Sequence, residues 1–479
     1  MPRPPKHVPP DTLGGRIRAA RENLHLSLER VAAGRYSTSL ISQIERNRVE
    51  PSQESLQFLA ERLQLPLEEL KVLAQQQRES EVEAHQYKIY QELRTEALQA
   101  LSAKRPYQAR DLLKGLNLAQ IPAPLRWRLA ALRGQCYFTL REFLAAQRDF
   151  TYAVTELPAS VSEDQQLEAM TLHLHLAAAL RELQQFDAAF DEYQVALNLM
   201  DPNTALNNVA EAHWGTSLVL YEQAYKTGSE QEAGRGADGH HSHKGTSEEF
   251  RDYMEHARKH AENAAAMYAS ANELLRAALL DCQIALIEQA LHQLDAAQQR
   301  LKRVLDEWLP TLSPPESDPT TLPAGVAEKR KRYTEKERAN IVSAAACYLA
   351  SIEREAHKWK EALAHIDLAL DAGARSYIVR RADAYMTKGQ ILADQGDSQA
   401  TEAFRKALAE LQTTDRVGAI IRVHQLLGEH LISQGKKEAG EAELKTAFAL
   451  ANVPPQFSST AADGYTALNA QEGGSFINN

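Results

Sequence analysis

The sequence predicts an all-α chain in two parts: a globule of five short helices over residues 12–74, and a long solenoid of paired helices over 75–452. Three observations predict it. Apolar residues recur at three- and four-residue spacing from Leu13 to Leu70, each run bounded by a capping or breaking residue. Beyond Gly134 one fixed spacing of small and large apolar residues keeps returning. Charge is also divided between the parts. Met1 to Arg48 carries nine basic against four acidic residues, so of the net -10 the remainder carries -15. A basic head on an acidic body suggests that only the head meets phosphate.

Composition sets the bounds. A chain of 479 residues exceeds one compact core. Charged residues at 25% and apolar ones at 44% are those of an ordinary soluble protein. Cys136, Cys282 and Cys347 lie far apart in apolar patterns without a CxxC pair. That argues against a zinc knuckle or a disulfide framework and fits a reducing cytoplasm. The opening, residues 1–11, is proline-rich without an apolar run, and is expected to be a disordered arm rather than a signal peptide. Its Arg3 and Lys6 are placed to meet a backbone or a minor groove. No uncharged apolar stretch is long enough to span a membrane.

The head reads in order. A first helix over Leu13–Asn23 turns Leu13, Ile17 and Ala20 inward. Ser27 caps a second, with Leu28, Val31 and Ala32. Ser37 caps a third, which has two faces. Ile41 and Ile44 point to a core, and Thr38, Ser39, Ser42 and Gln43 point away with groups able to bond base edges. Asn47 tolerates the left-handed conformation that ends a helix. Pro51-Ser52 opens a fourth helix with Leu56, Leu59 and Leu63, and Pro66 a short fifth with Leu67 and Leu70. None is long enough to stand alone, so their apolar faces must bury one another.

The run LGGRIRAARENLHLSLERVA, followed by YSTSLISQIERNRVEPSQESLQFLAERLQLPLEEL, resembles the Cro and phage-repressor class of helix-turn-helix, the XRE-like family with its lambda-repressor-like DNA-binding domain. ISQIER followed by a Pro-Ser helix start carries most of the likeness. The resemblance implies a buried ion pair at Arg21 and Glu45, base readout by Thr38, Ser39 and Gln43 with Ser42 nearby, and phosphate contacts from Arg46 and Arg48. Gln43 is the best placed for direct readout, since a glutamine can bond adenine through two hydrogen bonds. Two departures stand out. Leu28 replaces the phosphate-bonding glutamine of many relatives, and the turn Ala33-Gly34-Arg35-Tyr36 is one residue short. Arg35 is the expected replacement contact.

In the body, Gly134, Tyr137, Ala146, Phe150, Ala153 and Pro158 match the tetratricopeptide (TPR) spacing, and the same ruler returns at Ala177, Ala285, Ala350, Gly389 and Gly428. This resembles a TPR solenoid of about eight helical pairs, in which each repeat packs on its neighbours. Residues 228–246 and 309–330 interrupt it as Gly/Ser/His- and Pro-rich loops, and 453–479 reads as a disordered tail. The concave face is expected to present Arg128, Gln135, Arg181, Asn207, Asn208, Arg354, Arg422 and Gln425 as a groove for a peptide or protein ligand.

Catalysis is not expected. There is no glycine-rich phosphate loop and no cofactor motif. His256 and His260 share a helix face, but no general base stands between them, and Arg258 and Lys259 adjoin them, so no metal is assigned. The chain resembles bacterial regulators that join an XRE-like head to TPR repeats. The expected function is a cytoplasmic homodimer that binds double-stranded promoter DNA and senses a ligand through its solenoid. The alternative is a TPR interaction scaffold whose head binds DNA weakly.

Overall fold

The computed structural model describes residues 8–158, 163–233, 248–312, 323–412, 414 and 416–451. Every regular element among them is helical. Most of the expected N-terminal arm, the greater part of the first loop with His240, His241 and His243, residues 313–322 of the second, and the C-terminal tail lie outside the described residues. The chain divides into two compact units, Met1–Ala100 with Asp111–Leu129, and Leu101–Arg110 with Ala130–Asn479.

In the first unit, α1 (Leu13–Asn23), α2 (Leu28–Ala32), α3 (Thr38–Glu45), α4 (Gln53–Leu63) and the first turns of α5 (Leu67–Ser102) enclose one core. Leu13, Ile17, Val31, Ile41, Ile44, Leu59 and Leu70 are all essentially inaccessible within it. Each of the first four helices has a hydroxyl N-cap: Thr12, Ser27, Ser37 and Ser52 accept from the backbone N–H three residues on. Such caps matter most where helices are as short as these.

The fifth helix is not short. It runs unbroken for 36 residues, because nothing in Gln75 to Leu93 breaks a helix. Residues 78–89 are exposed throughout. There the helix is supported along its own surface, by Gln75–Glu79 at 2.8 Å, Gln77–Glu81 at 2.9 Å and Lys88–Glu92 at 3.8 Å.

Next come α6 (Pro106–Leu113), α7 (Ala123–Thr139), α8 (Phe143–Thr155), α9 (Glu163–Glu182), α10 (Phe186–Asn198), α11 (Leu206–Ala233), α12 (Glu248–Ser270), α13 (Leu274–Ala290) and α14 (Leu294–Trp308). The chain closes with α15 (Ala324–Arg332), α16 (Glu335–Glu355), α17 (Trp359–Ala374), α18 (Ile378–Asp394), α19 (Ala400–Leu411), α20 (Val417–Ser433) and α21 (Lys437–Ala451). From α8 onward each helix packs on the next, except that α14 packs directly on α16 and α15 stands outside the succession. This is a solenoid of helical repeats of the TPR kind.

The ruler read from sequence is the packing rule. A Cβ on Gly134 would lie 2.7 Å from the Phe150 ring, and one on Gly389 would lie 2.6 Å from Phe404. The small residue lets two helices approach until the aromatic ring of the second fills the space between them. A second rule was not visible. Seven residues after each small position the chain turns left-handed, at Arg141, Gln184, His292, His357, Gly396 and Gly435, with φ between 55 and 77°. The next residue then donates to a carbonyl five back, as Glu142 does to Tyr137 at 2.9 Å, which closes the helix end.

Two expected loops are partly helical. α11 carries through Gly228 to Ala233, and α15 occupies residues 324–332 inside the proline-rich stretch. Glycine and serine in the first case, and charge density in the second, disfavour a helix only weakly where it continues or packs against its neighbours. His173 and His430 are buried. His173 bonds Glu192 at 2.6 Å, Asp281 bonds Arg300 at 2.9 Å and His424 bonds Glu443 at 2.6 Å. All three pairs begin four residues before the small position, so one repeat register carries a cross-helix hydrogen-bonded pair.

Replacing Gly389 by valine is expected to cost about 1–3 kcal/mol through overpacking against Phe404. A lowered midpoint in urea unfolding followed by far-ultraviolet circular dichroism checks this; an unchanged midpoint would show that the ring yields freely.

Candidate nucleic-acid interface

The third helix is held from three sides. Its apolar stripe, Ile41 and Ile44, is buried in the head core. Its last residue, Glu45, faces Arg21 of α1 in a two-pronged pair at 2.6 and 3.0 Å. The side chains are 14% and 6% exposed, and Arg21 also donates to the Leu26 carbonyl at 3.2 Å. The carboxylate bond holds the Arg21 guanidinium above its ordinary pKa, against the opposing pull of burial.

Asn47 supplies the third hold. Its backbone is left-handed, with φ of 52°. Asn47 and Arg48 donate to the carbonyls of Ile44 at 2.9 Å and Gln43 at 2.8 Å, a Schellman closure of α3. Its side chain then reaches the start of α1: Oδ1 accepts from the Gly14 N–H at 2.7 Å, and Nδ2 donates to Thr12 Oγ1 at 2.9 Å. A Cβ on Gly14 would lie 2.5 Å from that same Oδ1. Sequence reasoning credited Asn47 with its backbone alone. The signal for the rest was Gly14-Gly15 in the first turn of a helix, costly there unless something must come close.

On the outer face Thr38, Ser39 and Gln43 are exposed and Ser42 is half-buried. Among the described residues their side chains have no hydrogen-bond partner. Arg46 and Arg48 follow, exposed and without an ion pair among the described residues. The structure thus brings together the four base-reading candidates and two of the three phosphate candidates on one side of α3.

Arg35, the expected replacement contact, pairs with Glu54, the two side chains being 51% and 73% exposed, and lies over the Phe58 ring, 5.4 Å from its centroid. The turn before it is left-handed at Ala33 and Gly34. Arg62 of α4 was overlooked: it donates twice to the Arg30 carbonyl, at 2.9 and 3.2 Å, and so ties α4 to α2.

The expected groove is only partly available. Arg181 is buried and bonds Glu182 at 2.8 Å, because desolvation of a guanidinium demands a carboxylate. Arg354 faces Asp394 at 3.5 Å. Arg128 lies in the first compact unit, over the Trp127 ring at 4.7 Å. Gln135, Asn208 and Gln425 are half-buried, and Asn207 and Arg422 are exposed. These belong to separate repeats on α7, α11 and α20. Among the described residues no group of three or more His, Cys, Asp or Glu side chains could hold a metal ion. The three cysteines are free and buried, and burial pushes each thiol up to about 12.

A compact five-helix head with an exposed polar third helix, ahead of stacked helical pairs, defines a helix-turn-helix protein with a repeat body. Residues 17–70 match a helix-turn-helix family model, and this segment is a domain of the XRE type. No curated protein matches the chain. Among solved structures, aspartyl phosphate phosphatase F from Bacillus subtilis is 12% identical, with 95% of this chain and 97% of that one covered at a TM-score of 0.49. A tetratricopeptide repeat protein from Parabacteroides merdae is 14% identical, with 71% and 98% covered at a TM-score of 0.45. PlcR of Bacillus thuringiensis, solved with the peptide PapR7 and DNA, is 12% identical, with 62% and 95% covered at a TM-score of 0.31. These values are too low to carry a function from those proteins to this chain.

Glu45→Ala is expected to destabilise the head by about 3–5 kcal/mol, since it strands a largely buried guanidinium. Hydrogen exchange of the α1–α4 amides in the full chain reads this out; unchanged protection there would sink the role given to the pair.

Proposed function

We propose that the chain is a sequence-specific, DNA-binding transcriptional regulator that works as a dimer. Two copies of α3 would then meet successive major grooves about 34 Å apart. The observation that supports this is the face of Thr38, Ser39, Ser42 and Gln43: polar, free of internal partners, and borne on a helix held by burial, an ion pair and a side-chain clamp. A surface left unsatisfied on a rigid support suits readout of base edges, and Arg46 and Arg48 beside it suit phosphate. The solenoid is read as the sensing part. A peptide or protein ligand there would change the head's DNA affinity only by as much as its affinity differs between the two arrangements. The protein is read as non-catalytic, cytoplasmic, and on the nucleoid when bound.

The competing reading is an interaction scaffold with a weak head. Leu28 in the place of a phosphate-bonding glutamine favours it, as does the engagement of Arg35 by Glu54. Selection of bound fragments from random duplex DNA, at two salt concentrations with the full chain, separates the two. An enriched two-fold-symmetric site with steep salt dependence supports the regulator. No enrichment at either salt supports the scaffold.

On the selected site, Gln43→Ala is expected to cost about 1–3 kcal/mol and to relax one base position. Arg46→Ala is expected to weaken all sequences alike and to lower the salt slope by about 1. Fluorescence anisotropy across a salt series measures both. An equal loss on every sequence from the Gln43 change would remove it from base readout.

A further inference from the structure

The solenoid contains a cavity of about 380 Å³ where α10, α11 and α12 meet. Phe190, Leu220 and Tyr253 give it apolar walls. Glu249, Asp252, His256 and His260 line it too, and with Tyr253 they form a single stripe of α12 at helical spacing. Glu249, Asp252 and His256 are exposed, while His260 and Tyr253 are half-buried, so an acidic rim surrounds an apolar floor.

The polar groups are nearly all acceptors. Neither Glu249 nor Asp252 has an ion pair among the described residues. His256 Nδ1 lies 2.8 Å from the Asp252 carbonyl, which can only accept. Nδ1 therefore carries the hydrogen, which leaves Nε2 as the nitrogen that can offer a lone pair. His260 Nδ1 lies 2.8 Å from Nδ1 of His213 on α11, so one of these two rings orients the other. Burial, together with His213, His256 and Lys259, pushes His260 down to about 4, and its ring is uncharged near neutral pH.

The neighbouring cations leave this balance in place. Arg258 bonds Glu255 at 2.6 Å and faces Glu262 at 3.6 Å. Lys259 is exposed and does not line the cavity. What remains is a site with two carboxylates, an imidazole acceptor at His256 and aromatic faces, closed on one side by hydrocarbon. A metal ion is a poor match, because no three ligands are gathered. A neutral polar group would leave both carboxylates without a counter-charge.

The geometry points to a receptor cavity for a cationic side chain, arginine or lysine, carried by an extended peptide. The apolar stem would lie against Phe190, Leu220 and Tyr253 while the charged head reaches Glu249, Asp252 and the His256 imidazole. A guanidinium fits best: it is weakly hydrated, stacks on aromatic faces, and can donate to several acceptors at once. This inference rests on the ligand-sensing reading of the solenoid given above. It is independent of whether the head binds DNA, which the fragment selection decides separately.

The test is a titration of the full-length protein, followed through the histidine ring signals in nuclear magnetic resonance spectra. The probes are N-acetylarginine methylamide, its lysine counterpart, and the uncharged citrulline counterpart. The arginine probe is expected to shift the His256 and His260 signals to saturation, while the citrulline probe leaves them in place. The double variant Glu249→Gln/Asp252→Asn, whose changes are exposed and whose fold is checked by an unchanged thermal melt, is expected to bind the arginine probe about tenfold more weakly, a difference of about 1.4 kcal/mol. Saturation by lysine alone would keep the proposal with an ammonium as the favoured head. Equal binding of citrulline, an unaltered affinity in the double variant, or no shift with any probe up to its solubility limit would overturn it.

Discussion

Glu45 is the one charged residue that the head buries among its described residues, and the head is arranged so that it can be buried. A carboxylate at the inner end of α3 demands a partner, and α1 provides one. Arg21 does so with two bonds while also holding the chain that follows α1 through the Leu26 carbonyl. One ion pair thereby sets the angle between the helix that opens the head and the helix that faces outward. Hydrophobic burial alone is non-directional and would accept several such angles. The Asn47 clamp reinforces the ion pair by tying the residue just beyond that same end of α3 to Thr12 and Gly14. Polar residues on the outer face of α3 can then be specific, because their support does not move.

The solenoid solves a different problem with closely related means. Its helices must approach tightly and repeatedly, so small residues stand at the crossings and rings fill what they leave open. Titratable side chains in this interior meet partners across helices: His173 with Glu192, Asp281 with Arg300, and Glu353 with His365 at 2.7 Å. A buried or half-buried polar group is stable there where the fold brings it a hydrogen-bonding partner.

The helices of the head, their caps and the inner and outer faces of α3 were legible in advance because each depends on local chemistry. Ser37 bonds the Leu40 N–H at 3.1 Å whatever the rest of the chain does. The roles of Arg35 and Arg181 were not legible. Both look like free cations in a sequence, and each is claimed by a carboxylate that the fold brings up, Glu54 from 19 residues away and Glu182 from next door. The cavity at α12 was half legible. Its histidine spacing was plain, but His213 lies 47 residues before His260, and the apolar walls Phe190 and Leu220 come from two other helices.

By itself the sequence determined the all-helical class, the two-part layout, the spacing of small residues along the solenoid and the stripe that α3 turns outward. Periodicity, caps and steric size are properties of a segment and its near neighbours, so they can be read along a line. The tertiary structure alone decided which charges are paired, which residue clamps α3 to α1, and that an acidic, aromatic cavity forms where three helices meet. Those outcomes depend on which distant groups come within bonding distance. Only the packing of one helix on another determines that.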